Sequence, residues 1–164
     1  MGTDIHMKVV KFNHEDRYFH ELKLFRVDDG EYRPVYIYNG RNSEMFDAMQ
    51  NKNNYQYGMF PCRGCLKVSS LDPELQKFFE EEMKIVGCYG FNEISLNEFG
   101  NYVLTHEKIE DYDVDWEGNE TEVVYKDNPL KDLYSAVIHY IDFAEKYGIY
   151  KDYDDYKVIF WFDW

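Results

Sequence analysis

Apolar and polar residues alternate from the start of the chain, in Thr3-Asp4-Ile5-His6-Met7-Lys8-Val9. In a strand this period of two puts Ile5, Met7 and Val9 on one face and Asp4 and His6 on the other. Asn13-His14-Glu15-Asp16 reads as a polar turn, residues 17–27 alternate as a second strand, and Asp28-Asp29-Gly30 marks the next turn. Residues 31–38 predict a third strand, which Pro34 confines to an edge or a bulge. The first 38 residues therefore predict a three-stranded antiparallel meander.

The period then lengthens. Asn42 or Ser43 is placed to cap a short helix running to about Gln50. Residues 51–69 predict a long loop, a length that tends to go with function. Asp72-Pro73 opens a helix, with Leu75, Phe78, Phe79, Met83 and Val86 at helical spacing and Gly87 as its end. Cys88–Ile94 fits a short strand or a loop. Ser95 and Glu98 form a capping box that opens a second short helix.

Residues 107–126 predict a hairpin turning at Glu117-Gly118-Asn119-Glu120. Asn128-Pro129 starts the longest predicted helix, over 129–147, with Gly148 as its stop and Leu130, Leu133, Val137 and Ile141 within one apolar stripe. Residues 156–162 are apolar at nearly every position, which predicts a central strand. These elements predict an α+β fold, a mainly antiparallel sheet with two main helices packed on one face. No linker or repeat divides the chain, so residues 1–164 read as a single domain.

Composition supports a packed core: 45% of the 164 residues are hydrophobic, which excludes a disordered chain. No apolar run nears the ~18 residues of a membrane span, and no basic-then-apolar leader opens the sequence. Three cysteines without such a leader read as reduced thiols. The expected location is therefore cytoplasmic. Cys62 and Cys65 form a C-x-x-C, but no histidine lies close in sequence to help complete a four-ligand zinc site.

Charge narrows the partners. Eighteen Lys and Arg against thirty-two Asp and Glu leave a net charge of −14. Such a body repels phosphate backbones and attracts basic surfaces, so the expected partner is a protein with a basic surface, not a nucleic acid or a membrane. The acids are densest in the predicted hairpin, where Asp111, Asp113, Asp115 and Glu117 share one face by alternation. Same-face residues of a strand repeat every ~6.6–6.8 Å, close to two phosphate steps of ~3.4 Å each. The row could therefore imitate nucleic-acid charge in a basic groove, or be a plain solvated face. The same acids with Glu122 echo an EF-hand loop, but Trp116 occupies the position that needs glycine.

A second candidate joins the chain ends. If the last strand pairs antiparallel with the first, Asp163 arrives beside Asp4 and His6, within reach of Arg41 or Asn42. Such a cluster suits a divalent metal and a metal-dependent hydrolase, or a polar cluster that closes the fold. No other cofactor is implied. No glycine-rich phosphate loop, nucleophile elbow or H-E-x-x-H motif is present, so no catalytic residue is assigned. His14, His20 and His139 read as solvated.

Several segments in order are similar to a family of small uncharacterised proteins of phages and prophages. They are Met1-Gly2-Thr3-Asp4-Ile5-His6, then Arg41-Asn42-Ser43-Glu44-Met45-Phe46-Asp47, then Arg63-Gly64, then Ser95-Leu96-Asn97-Glu98-Phe99, and finally Val158-Ile159-Phe160-Trp161-Phe162-Asp163. Where relatives carry His-Ser before the Leu-x-x-Phe helix, this chain has Tyr89-Gly90. The resemblance implies a viral origin and a host-cell setting, and it marks Arg41, Asn42 and Arg63 as candidate binding residues. Together with the charge it predicts an acidic protein that binds and inhibits a host protein. The alternative is the small hydrolase on Asp4, His6 and Asp163.

Overall fold

The last strand of the chain is central in the sheet. A computed structural model describes residues 3–50, 60–61, 65–145 and 151–164, with the backbone alone at 39, 109–113 and 121. Strand β9 (Tyr156–Asp163) lies between β1 (Asp4–Phe12) and β6 (Tyr89–Ser95) and runs antiparallel to both. Its uninterrupted apolar run follows from burial on both faces. Val158, Phe160 and Phe162 enter one core, while Ile159 and Trp161 enter another.

The outer edge of β1 is shared by two short strands. β2 (Phe19–Glu21) pairs with Val10–Phe12, and β5 (Asn39–Arg41) pairs with Asp4–His6.

Among the described residues four helices are α1 (Ser43–Met49), α2 (Pro73–Glu82), α3 (Leu96–Thr105) and α4 (Pro129–Ala144). Three have side-chain caps. Asn42 accepts from the Met45 N–H at 3.0 Å, Ser95 from Glu98 at 3.2 Å and Asn128 from Leu130 at 3.0 Å. Helices α1, α3 and α4 cover the face of Ile5, Met7 and Val9. A Cβ on Gly100 of α3 would sit 2.8 Å from the Tyr134 hydroxyl of α4, so glycine permits that approach.

The protein is α+β, with helices packed against a mainly antiparallel sheet. The helices that periodicity marks most strongly, α2 and α4, divide between its faces. Leu75 and Phe79 of α2 pack on Val10, Ile159 and Trp161, opposite to α4. A central strand that is apolar on both faces requires cover on both. No helix among the described residues is long and apolar enough to cross a membrane.

The expected meander is corrected. The stretch 17–27 breaks after β2, and its second half, β3 (Phe25–Asp28), pairs only with β4 (Glu31–Pro34) as a separate ribbon. Tyr140 of α4 explains the break: its hydroxyl donates to the Leu22 carbonyl at 2.8 Å and accepts from the Leu24 N–H at 3.1 Å. The phenol thus satisfies two backbone groups that a neighbouring strand would otherwise bind. Asp29 and Gly30, both at positive φ, make the tight turn between β3 and β4.

Helix α2 is shorter than its stripe suggested. It ends at Glu82, and Met83 and Val86 are exposed, Val86 at 97%. The expected loop over 51–69 lies largely outside the described residues, as do Cys62, Arg63 and Gly148. Cys65 is an exposed free thiol. Cys88 is a half-buried free thiol whose pKa is raised, chiefly by burial.

Candidate functional site

The two chain ends meet as β1 and β9 pair. Asp4 lies opposite Asp163 in the register, and His6 opposite Trp161. On the other side of β1, Asp4 lies opposite Arg41 of β5. Four polar side chains therefore collect at one corner of the sheet and form two pairs. His6 Nε2 is 2.8 Å from Asp163 Oδ2, and Arg41 Nε donates to Asp4 Oδ1 at 2.5 Å. The hydrogen bond from Arg41 is the main cause that holds the Asp4 carboxyl below the usual carboxylate range. The same contact raises the Arg41 pKa.

This arrangement differs from a metal centre. Asp4 is engaged by a guanidinium and Asp163 by an imidazole, so each carboxylate already has a partner. Among the described residues, no group of three or more His, Cys, Asp or Glu is placed to hold a metal ion. Asp4, His6 and Asp163 converge as the sequence suggested, but as paired groups instead of a ligand set. Asn42 does not join them, because its side chain caps α1. The Asp163 carboxylate fixes the plane of the His6 ring.

The second place is the acidic ribbon of β7 (Lys108–Val114) and β8 (Glu120–Asp127), a two-stranded sheet of its own. Val123 and Val124 point to opposite faces by alternation, yet both are exposed. Trp116 is 92% exposed and Tyr125 is 65% exposed. Lys126 Nζ reaches Glu44 of α1 at 3.0 Å, a tie between ribbon and body.

The expected row of four acids is shortened. β7 ends at Val114, and the pairing shifts register between Asp113 and Val114. The side chains of Asp111 and Asp113 lie outside the described residues. Asp115 belongs to the turn, where its Oδ1 accepts from the backbone N–H groups of Asn119 and Glu117, each at 2.9 Å. Those bonds, that from Asn119 foremost, lower its pKa. An aspartate that closes a turn in this way acts as a structural acceptor first. Glu117, Glu120 and Glu122 are exposed.

His14 and His20 each face a carboxylate, Asp155 at 2.9 Å and Asp16 at 2.6 Å, and His139 is exposed on α4. Sequence reading missed the aromatic surroundings of His6, which depend on pairing between distant strands. The nearest signal was Trp161, the sole indole in an apolar run fit for a buried strand.

No family model matches this chain, and comparison with curated proteins and with solved structures finds no match.

Proposed function

We propose that this chain is a non-catalytic binding protein whose acidic ribbon β7–β8 engages a basic surface on a partner protein. One observation carries the reading: the ribbon forms a two-stranded sheet of its own, with Trp116 at its turn 92% exposed. Isolated two-stranded ribbons are marginal in water, and exposed aromatic residues are favoured anchors in protein interfaces. The net charge of −14 supplies complementarity to a basic surface and speeds encounter at low salt.

The resemblance to phage proteins supports a host protein as the partner, and the charge supports inhibition by occupying its nucleic-acid groove. The exposed carboxylates of Glu117, Glu120 and Glu122 take over the part first given to a longer row. The hydrolase alternative is carried no further, because Arg41 engages the Asp4 carboxylate that such a reaction would need free.

The test is affinity capture from a bacterial host lysate with wild type and with a variant carrying Trp116→Ala, Glu117→Gln, Glu120→Gln and Glu122→Gln. Asp115 is left intact so that the turn survives. The expected result is a partner that wild type retains at low salt, loses as salt rises, and that the variant fails to retain while melting like wild type. Equal capture by both proteins would refute the ribbon as the contact surface.

A further inference from the structure

On the α2 side of the sheet, three rings from three strands stand in a row. Phe91 of β6 stacks on Trp161 of β9, with centroids 6.0 Å apart and planes at 6°. Trp161 stacks in turn on His6 of β1, at 5.4 Å and 23°. His6 ends the row, its ring held by Asp163 at 2.8 Å. Next to it lies a cavity of about 330 Å³, bounded by His6, Trp161, Tyr36, Tyr38, Phe78 and Glu82. Strand β5, on the side of β1 away from Trp161, pairs Asn39 with His6, so Tyr38 enters from the position just before it.

We propose that this cavity binds an uncharged nucleobase or nucleoside, its ring continuing the row beyond His6 toward Tyr36 and Tyr38. Aromatic walls favour a flat ring through stacking, whatever its sequence identity in a nucleic acid. The polar lining selects a heterocycle that carries an amine. Glu82 offers a carboxylate that accepts from an exocyclic amine. Lys8 also borders the cavity, but its ammonium is balanced by Glu21 at 2.7 Å and lies over the Phe78 ring at 4.6 Å. Glu82 and the net charge of −14 disfavour a phosphate. Ligand pockets run from ~300 to 1,000 Å³, and this one, at the small end, suits a base with its sugar and no more. The site stands apart from the ribbon and does not rest on the function proposed there.

Calorimetric titration of the full chain with adenosine and cytidine tests the proposal. Adenosine 5′-monophosphate, a short oligoadenylate and tetramethylammonium serve as charged probes, and the first two separate a free nucleoside from a base within a strand. The expected result is saturable binding of at least one nucleoside, with the phosphorylated forms weaker and tetramethylammonium inert. Tyr38→Ala, which removes one stacking wall, should weaken nucleoside binding by about tenfold or more. Glu82→Gln, a half-exposed change at the end of α2, keeps the test open if Tyr38→Ala fails to fold and should also weaken binding. The proposal is overturned by lack of saturation with both nucleosides, by equal or tighter binding of the phosphorylated forms, by tetramethylammonium binding, or by unchanged affinity in whichever variants fold.

Discussion

Trp161 and Trp116 show how differently two β regions of this protein are built. Trp161 is 4% exposed and is walled by His6, Phe91, Phe78 and Phe79. Trp116 is 92% exposed at the turn of the β7–β8 ribbon. The main sheet has helices on both faces, so each residue of β9 has something to pack against. Val123 and Val124, on opposite faces of the ribbon, stay 45% and 36% exposed. A strand pair gains stability chiefly from the layer it lies on. The sheet therefore holds the fold, and the ribbon is free to change its surface at little cost to stability.

The strongest way to break this contrast is to delete Val158–Trp164. Loss of most of the central strand should exceed the whole folding stability, typically ~5–15 kcal/mol. The truncated chain should show no cooperative melting by circular dichroism, and a sharp transition would show that β9 is peripheral.

The two tryptophans sharpen the contrast with one substitution in two places. Trp161→Ala should cost about 3–5 kcal/mol in urea unfolding, because it empties a packed site. Trp116→Ala should stay within about 0.5 kcal/mol of wild type, since a solvated side chain leaves no cavity. Similar costs at the two positions would mean that the ribbon is packed after all.

The smallest expected effect separates the sheet corner from the bulk of the acids. The Asp4 carboxyl is held below the usual range by Arg41, so its folded-state pKa lies under its unfolded one. A group shifted this way contributes stability above the unfolded pKa and loses it as pH falls through the folded value. Asp4→Asn should therefore lower the melting temperature slightly at neutral pH and flatten its decline on acidification. Identical pH profiles for the two proteins would show that the Arg41 pair contributes nothing.

Local chemistry made much of the fold legible in advance. Asn42, Ser95 and Asn128 sit where their side chains cap helices, and the unbroken apolar run of β9 gave its central place. The meeting of Asp4, His6 and Asp163 followed from one inferred strand pairing. What the sequence did not disclose depends on groups far apart along the chain. Nothing near Leu22 or Leu24 signals that the Tyr140 hydroxyl will replace a strand there. Nothing near Asp4 says that Arg41 will pair with it. The acid row is cut short at Asp115 for a local reason that spacing hides: Asp115 is a turn residue, and the side-chain alternation assumed for it stops where the strand does.

The pairing of β1 with β9 also bears on how the chain folds as it is made. Of the described strands β1 is made before the others, but the strand that covers its inner edge comes only with residues 156–163. At ~5–20 residues per second, that leaves β1 waiting roughly 7–30 s. During that time its apolar face, Ile5, Met7 and Val9, has only α1, α3 and α4 to shelter it as each appears. Closing so long a loop before the sheet is rewarded also favours slow refolding in vitro. The sheet corner that holds the two side-chain pairs thus takes shape only after β9 has been made.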